Sequence, residues 1–122
     1  MRASLRRLAR AAIGPVILAG ALAGAAAQGA ARAEEAVVVK VTIRDHRFEP
    51  SEIRVAAGKP VVLEIKNEDA TAEEFDSHAL KVEKVIAGGK SGSVRIRALD
   101  KGIYPFVGEY HEATAKGVVI AE

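Results

Sequence analysis

The stretch V-V-V-K-V-T-I-R, residues 37–44, sets Val37, Val39, Val41 and Ile43 against Val38, Lys40, Thr42 and Arg44. Successive side chains of an extended chain point to opposite faces, so this period of two predicts a strand with one buried face. The pattern repeats in residues 61–66, where Val61, Leu63 and Ile65 alternate with Val62, Glu64 and Lys66. Between them, Ile53 and Val55 form a shorter run that ends at Ala57-Gly58-Lys59. Asn67-Glu68-Asp69 supplies the turn chemistry that stops the long strand. Leu80 and Val82 open another strand, which continues through Val85 and Ile86 to a turn at Gly88-Gly89. Val94 and Ile96 alternate with Arg95 and Arg97, Asp100-Lys101-Gly102 turns the chain into Ile103 to Val107, and Val118 to Ala121 closes it. Seven or so short strands, with turn signals about every ten residues, predict an all-β fold, a sandwich or a small barrel. Only Ala70 to Phe75 has the look of a short helix.

The first 33 residues read as an export signal rather than as part of the fold. Arg2, Arg6, Arg7 and Arg10 give a basic start, Ala11 to Ala27 is an alanine-rich apolar run, and Ala31-Arg32-Ala33 offers small residues to a peptidase. The alternative is a membrane anchor, but the run is weakly hydrophobic and close to the ~18-residue lower limit for spanning. The expectation is cleavage after Ala33, a periplasmic domain over residues 34–122, and no membrane insertion afterwards. Cleavage also reverses the charge. Five of the 18 Lys and Arg precede residue 34 and none of the 16 Asp and Glu do, so the net of +2 becomes −3. No basic patch interleaved with aromatics remains, which argues against nucleic acid as a partner.

The chain has no cysteine. A small exported domain often relies on disulfides, so this core must hold by packing alone. Without thiolates, Cys-ligated zinc, iron–sulfur clusters and blue copper are all excluded. What remains are three histidines at strand ends or in loops. His46 lies in R-D-H-R-F-E-P, and His78 closes A-T-A-E-E-F-D-S-H with Glu73, Glu74 and Asp76. His111 lies in G-E-Y-H-E between Glu109 and Glu112. Imidazole with carboxylate suits Cu(II), Fe(II), Fe(III), Mn(II) or Zn(II) better than Cu(I). Each histidine, taken alone, fits a solvated turn residue equally well. If residues 109–111 stay extended, Glu109 and His111 point the same way, which makes Glu109 either a co-ligand or an acceptor that fixes the imidazole tautomer. Tyr104 and Phe106 read as core.

Residues 48–69, F-E-P-S-E-I-R-V-A-A-G-K-P-V-V-L-E-I-K-N-E-D, resemble the N-terminal half of a cupredoxin. G-I-Y-P-F from Gly102, followed by a loop, a histidine and a final strand, resembles the C-terminal half. The resemblance implies a Greek-key β-sandwich of about seven to eight strands. In blue-copper members an upstream His matches His78 and a loop His matches His111. The Cys position falls on Gly108 and the Met position on Lys116, so both sulfur ligands are missing. More narrowly, E-E-F-D-S-H-A-L-K-V-E-K-V-I (73–86) and Y-P-F-V-G-E-Y-H-E-A-T-A-K-G (104–117) resemble the EfeO-type cupredoxin-like domains of ferrous-iron uptake. They look especially like the stand-alone periplasmic cupredoxin of FtrABCD-type transporters.

That resemblance implies a copper or iron ion held by His78, His111, Glu109 and Glu74. His46 would be a third imidazole, with Glu73, Asp76 and Glu112 in reserve. It also implies an iron-permease complex and a periplasmic iron-binding protein as partners, and help with Fe(II) oxidation before permeation. One Cu(II) accepts one electron, so any activity is at most ferroxidase-like and needs an external acceptor. Two other readings stay open: a copper-handling protein with no link to iron, and a metal-free interaction module.

Overall fold

The alternation read from the sequence becomes nine strands in the structure, a computed structural model that describes residues 35–122. The expected export signal and its cleavage point lie outside the described residues. In chain order the strands are β1 (Val37–Arg44), β2 (Arg47–Glu49), β3 (Glu52–Val55), β4 (Val61–Asn67) and β5 (Glu73–Ser77). They are followed by β6 (Val82–Ile86), β7 (Ser91–Ile96), β8 (Gly102–Gly108) and β9 (Lys116–Ala121). A 3₁₀ turn, Glu109–His111, follows β8. No helix among the described residues is long and apolar enough to cross a membrane.

Two sheets result, with strand orders β2-β1-β4-β7 and β3-β9-β8-β5-β6. Each is mixed: β1 runs parallel to β4 and β3 runs parallel to β9, while the remaining pairs are antiparallel. A parallel pair needs a crossover, and here the intervening strands supply it by passing through the other sheet. The chain leaves the first sheet after β2, lays β3 on the second, and returns as β4. The expected all-β sandwich is therefore what forms.

Its core is the inward half of each alternating run. Val41 and Ile43 of β1, Leu63 and Ile65 of β4, and Val94 and Ile96 of β7 are buried from the first sheet. Ile53, Phe75, Ile86, Phe106 and Val119 meet them from the second. Val37 stands at the open start of β1 and is exposed, so burial on that strand begins further along. Three phenylalanines form the aromatic centre. Phe75 stacks on Phe106 at 4.8 Å between ring centroids, and Phe48 meets both edge-on at 5.8 and 5.0 Å. As expected, Phe106 is core, and Tyr104 packs partly against it.

Three expectations change, the smallest being Leu80, which lies in the turn before β6 rather than on the strand. Residues 47–49 form an extra short strand ahead of Pro50, too brief for its period to show in the sequence. Residues 73–77 form a strand rather than the end of a helix, bonded to β6 on one side and β8 on the other. Their burial alternates strictly, with Glu73, Phe75 and Ser77 inward. A charged residue in an inward position concealed that period.

Candidate metal centre

His46 sits in the hairpin between β1 and β2. Arg44 pairs with Arg47, which leaves Asp45 and His46 as a two-residue loop with φ of 53° and 58°. Positive φ at both loop residues is the type I′ arrangement, whose twist matches that of the flanking strands. Glycine or asparagine usually takes these positions, although histidine tolerates them better than most residues. Its neighbours hold it there. The Asp69 carboxylate accepts the amide hydrogens of Asp45 (2.8 Å) and His46 (2.9 Å). The Thr114 hydroxyl donates to the His46 carbonyl at 2.6 Å. The bond from the His46 amide, assisted by that from Asp45, keeps the Asp69 carboxyl below its ordinary value despite partial burial. Asp69 is itself positioned through its amide, which donates to the side chain of the fully buried Asn67.

His111 ends the 3₁₀ turn after β8, and its carbonyl accepts the amides of Thr114 and Ala115 at 3.1 and 2.8 Å. Residues 109–111 are thus coiled, not extended, and Glu109 and His111 do not share a strand face. The partner of His111 is Glu73, which is 1% exposed at the start of β5. Glu73 Oε2 lies 2.5 Å from His111 Nδ1, while Oε1 accepts the amide hydrogens of Tyr110 (2.9 Å) and Glu74 (3.1 Å). With Nδ1 so engaged, the Nε2 edge of His111 is left free, on a side chain that remains 24% exposed. The rings of His46 and His111 then stack, with centroids 3.5 Å apart and planes within 11°. Three distant stretches of chain therefore bring two imidazoles and a buried carboxylate to one place.

The other candidates lie elsewhere. His78, matched by resemblance to the upstream ligand, is exposed in the turn between β5 and β6. It stands five residues along an extended strand from Glu73, roughly 16 Å away at strand rise. It shares a shallow surface pocket with Asp76, Lys81 and Glu83. Glu112 is exposed just beyond the 3₁₀ turn. Glu74 and Glu109 do come together, but with Glu83, their oxygens lying within 4.8 Å of one another. This trio contains no imidazole and sits on the side of β5 away from Glu73.

Crowding has a cost for Glu74. Its hydrogen bond with Glu83, then partial burial and the charge of Glu109, raise its pKa to about 7 from 4.5. A carboxyl raised in the folded state stabilises fully below its unfolded value, and that stability is lost as pH rises through the folded value. The metal-free domain should therefore lose stability between about pH 5 and pH 8 through this trio. Glu74→Gln should melt progressively higher than the native chain over that range, in differential scanning fluorimetry at matched ionic strength. Parallel melting curves across the range would refute the assignment.

The donor set around His111 is chemically suitable for a borderline or hard cation such as Cu(II), Fe(II), Fe(III) or Zn(II). Ring nitrogens donate in the ring plane, however, so the donor directions of two parallel stacked rings do not converge on one point. Holding one ion requires one ring to turn. Glu73 fixes His111, so His46 is the ring free to do so.

Of this centre, the sequence pointed to His46 and His111, placed Glu73 in reserve, and did not show Asp69. The available signal for Glu73 was its spacing of two from Phe75, an unmistakably inward residue.

The model of the cupredoxin-like domain matches residues 15–121 of this chain. An uncharacterized protein of Rickettsia prowazekii (strain Madrid E) is 39% identical over 82 residues, which span 67% of this chain and 66% of that relative. Among solved structures, auracyanin A, a blue copper protein of Chloroflexus aurantiacus, superimposes with a TM-score of 0.62 at 15% identity. The match covers 72% of this chain and 100% of that one. The metal-binding domain of the Cu(I)-exporting P-type ATPase of Streptococcus pneumoniae D39 gives 0.61 at 13% identity, covering 75% and 91%.

Proposed function

The chain belongs to the cupredoxin-like domain family, and from that premise we propose that it is a periplasmic metal-binding protein that holds copper or iron and assists ferrous-iron uptake. The observation that carries this reading is the meeting of His46, His111 and Glu73 from the β1–β2 turn, the turn after β8 and the start of β5. Imidazole from both histidines would hold the ion, with Glu73 orienting His111. A carboxylate that fixes a ligand ring and raises its basicity is a recurrent feature of metal sites. The absence of cysteine removes the thiolate that a blue-copper centre needs. Two of the similar solved structures are described as a blue copper protein and a domain of a Cu(I) exporter, which supports copper as one occupant.

The link to iron rests on the blocks 73–86 and 104–117 and their resemblance to EfeO-type domains. In this reading the partners are an iron-permease complex and a periplasmic iron-binding protein. When bound, Cu(II) supplies a one-electron oxidant for Fe(II). The chain has no cysteine to act as a second redox group, so in this reading continued turnover needs an acceptor from a partner. Copper-loaded protein mixed with excess Fe(II) under anaerobic conditions should yield about one Fe(III) per copper and then stop, a stoichiometry set by one-electron transfer. Admitting dioxygen should not restart the reaction, and many turnovers with dioxygen as the sole acceptor would contradict the accessory role. Failure to retain any copper or iron in equilibrium dialysis would remove the function itself.

A further inference from the structure

Gly108 has φ of −92° and ψ of 106°, an extended conformation open to any residue. Glycine is therefore not needed there for the backbone, and the reason for it is space. A Cβ at position 108 would lie 2.7 Å from the Cβ of Ala115, 2.7 Å from Glu73 Cδ and 2.8 Å from Glu73 Oε1. The last two contacts matter because of what Glu73 is: a carboxylate that is 1% exposed, with every oxygen engaged by the chain. Burying such a group is costly even when it is well paired, and an apolar residue of similar volume often stabilises a fold better. Its place beside His111, in the volume next to a missing side chain, suggests a role beyond folding.

We propose that Glu73 and Gly108 are a matched pair that decides which cations this centre takes. The bare backbone at 108 admits the Glu73 carboxylate, and that carboxylate is the fixed anion beside His111. It occupies the space into which a side chain from 108 would project. The register supports this, since Phe75 lies opposite Gly108 across β5 and β8, and Glu73 is the next inward residue of β5. An oxygen anion at this point favours Cu(II) and iron, whereas a sulfur anion from 108 would favour Cu(I). The inference deepens the metal-binding reading and rests on it for the choice of cation. The steric pairing stands independently of metal.

Two measurements test it. The first is a double-mutant cycle of Gly108→Ala and Glu73→Ala, followed by thermal unfolding of the metal-free protein, with Ala115→Gly in every variant so that the contact with the Ala115 Cβ is removed throughout. Gly108→Ala should be strongly destabilising with Glu73 intact and clearly less so once Glu73 is shortened. If Gly108→Ala fails to fold alone, the expected result is recovery of folding in the double variant. Additive effects, or failure in both backgrounds, would overturn the pairing.

The second compares Cu(II) and Cu(I) affinities of the native chain and Glu73→Gln by competition with chelators. Glutamine keeps the shape and an oxygen for the Tyr110 amide but loses the charge. Cu(II) affinity should fall about 10- to 100-fold and Cu(I) affinity much less, moving the preference towards Cu(I). An unchanged preference would overturn the role of the charge. A native chain that binds no copper or iron at all would instead defeat the metal-binding reading, and the unfolding cycle would still decide the pairing.

Discussion

Phe75→Ala is expected to destabilise the domain by about 3–5 kcal/mol, the usual cost of emptying a buried phenylalanine site. Phe75 is fully buried, stacked on Phe106 and edge-on to Phe48. Its neighbours come from both sheets and are fixed by their own strand pairing, so collapse into the vacated space should be limited. Domains of this size have only about 5–15 kcal/mol to lose, and the chain has no disulfide to limit the damage. The effect should appear in urea denaturation as a lower midpoint with an unchanged slope. A loss below about 1 kcal/mol would mean that the aromatic cluster is not the centre of the core.

The same cluster ties the core to the candidate centre. His46, Glu73 and Gly108 each stand two residues from one of its members, Phe48, Phe75 and Phe106 respectively. Loosening the cluster should therefore disturb the metal centre even where the fold survives.

This relation also explains what could be read from the sequence. The β-sandwich was legible because Val41, Ile43, Leu63, Ile65, Val94 and Ile96 keep the period of two with apolar residues, and hydrophobic periodicity is the strongest local signal. Strand β5 was obscured because its inward positions are Glu73, Phe75 and Ser77, only one of which is apolar. Under the role proposed for Glu73, that exception is functional. A carboxylate was placed inward where the fold alone asks for an aliphatic residue.

The histidine pair was only half legible. His46 and His111 stood out by residue type, but their meeting depends on a turn with two positive φ values and on the coiling of residues 109–111, neither of which has a periodic signature. Resemblance supplied His78 as the upstream ligand because a histidine there completes the cupredoxin pattern by residue type. The strand geometry instead puts Glu73 against His111 and leaves His78 at the opposite end of β5. Asp69 was read only as part of a stop signal, yet it holds the His46 backbone in place.

The second large effect concerns the histidines themselves. Removing the His111 imidazole deletes the ring that Glu73 orients, and removing His46 deletes the ring stacked on it. His78 is exposed and distant, so its loss should leave metal affinity alone. The variants are suited to comparison because none of the three histidines belongs to the buried core.

The decisive measurement is the Cu(II) affinity of the native domain, His46→Ala, His111→Ala and His78→Ala, by competition titration at one pH and ionic strength. His46→Ala and His111→Ala should each weaken binding at least about tenfold, equivalent to about 1.4 kcal/mol or more, while His78→Ala matches the native value. Full affinity in both His46→Ala and His111→Ala, or a loss confined to His78→Ala, would contradict the centre assigned here.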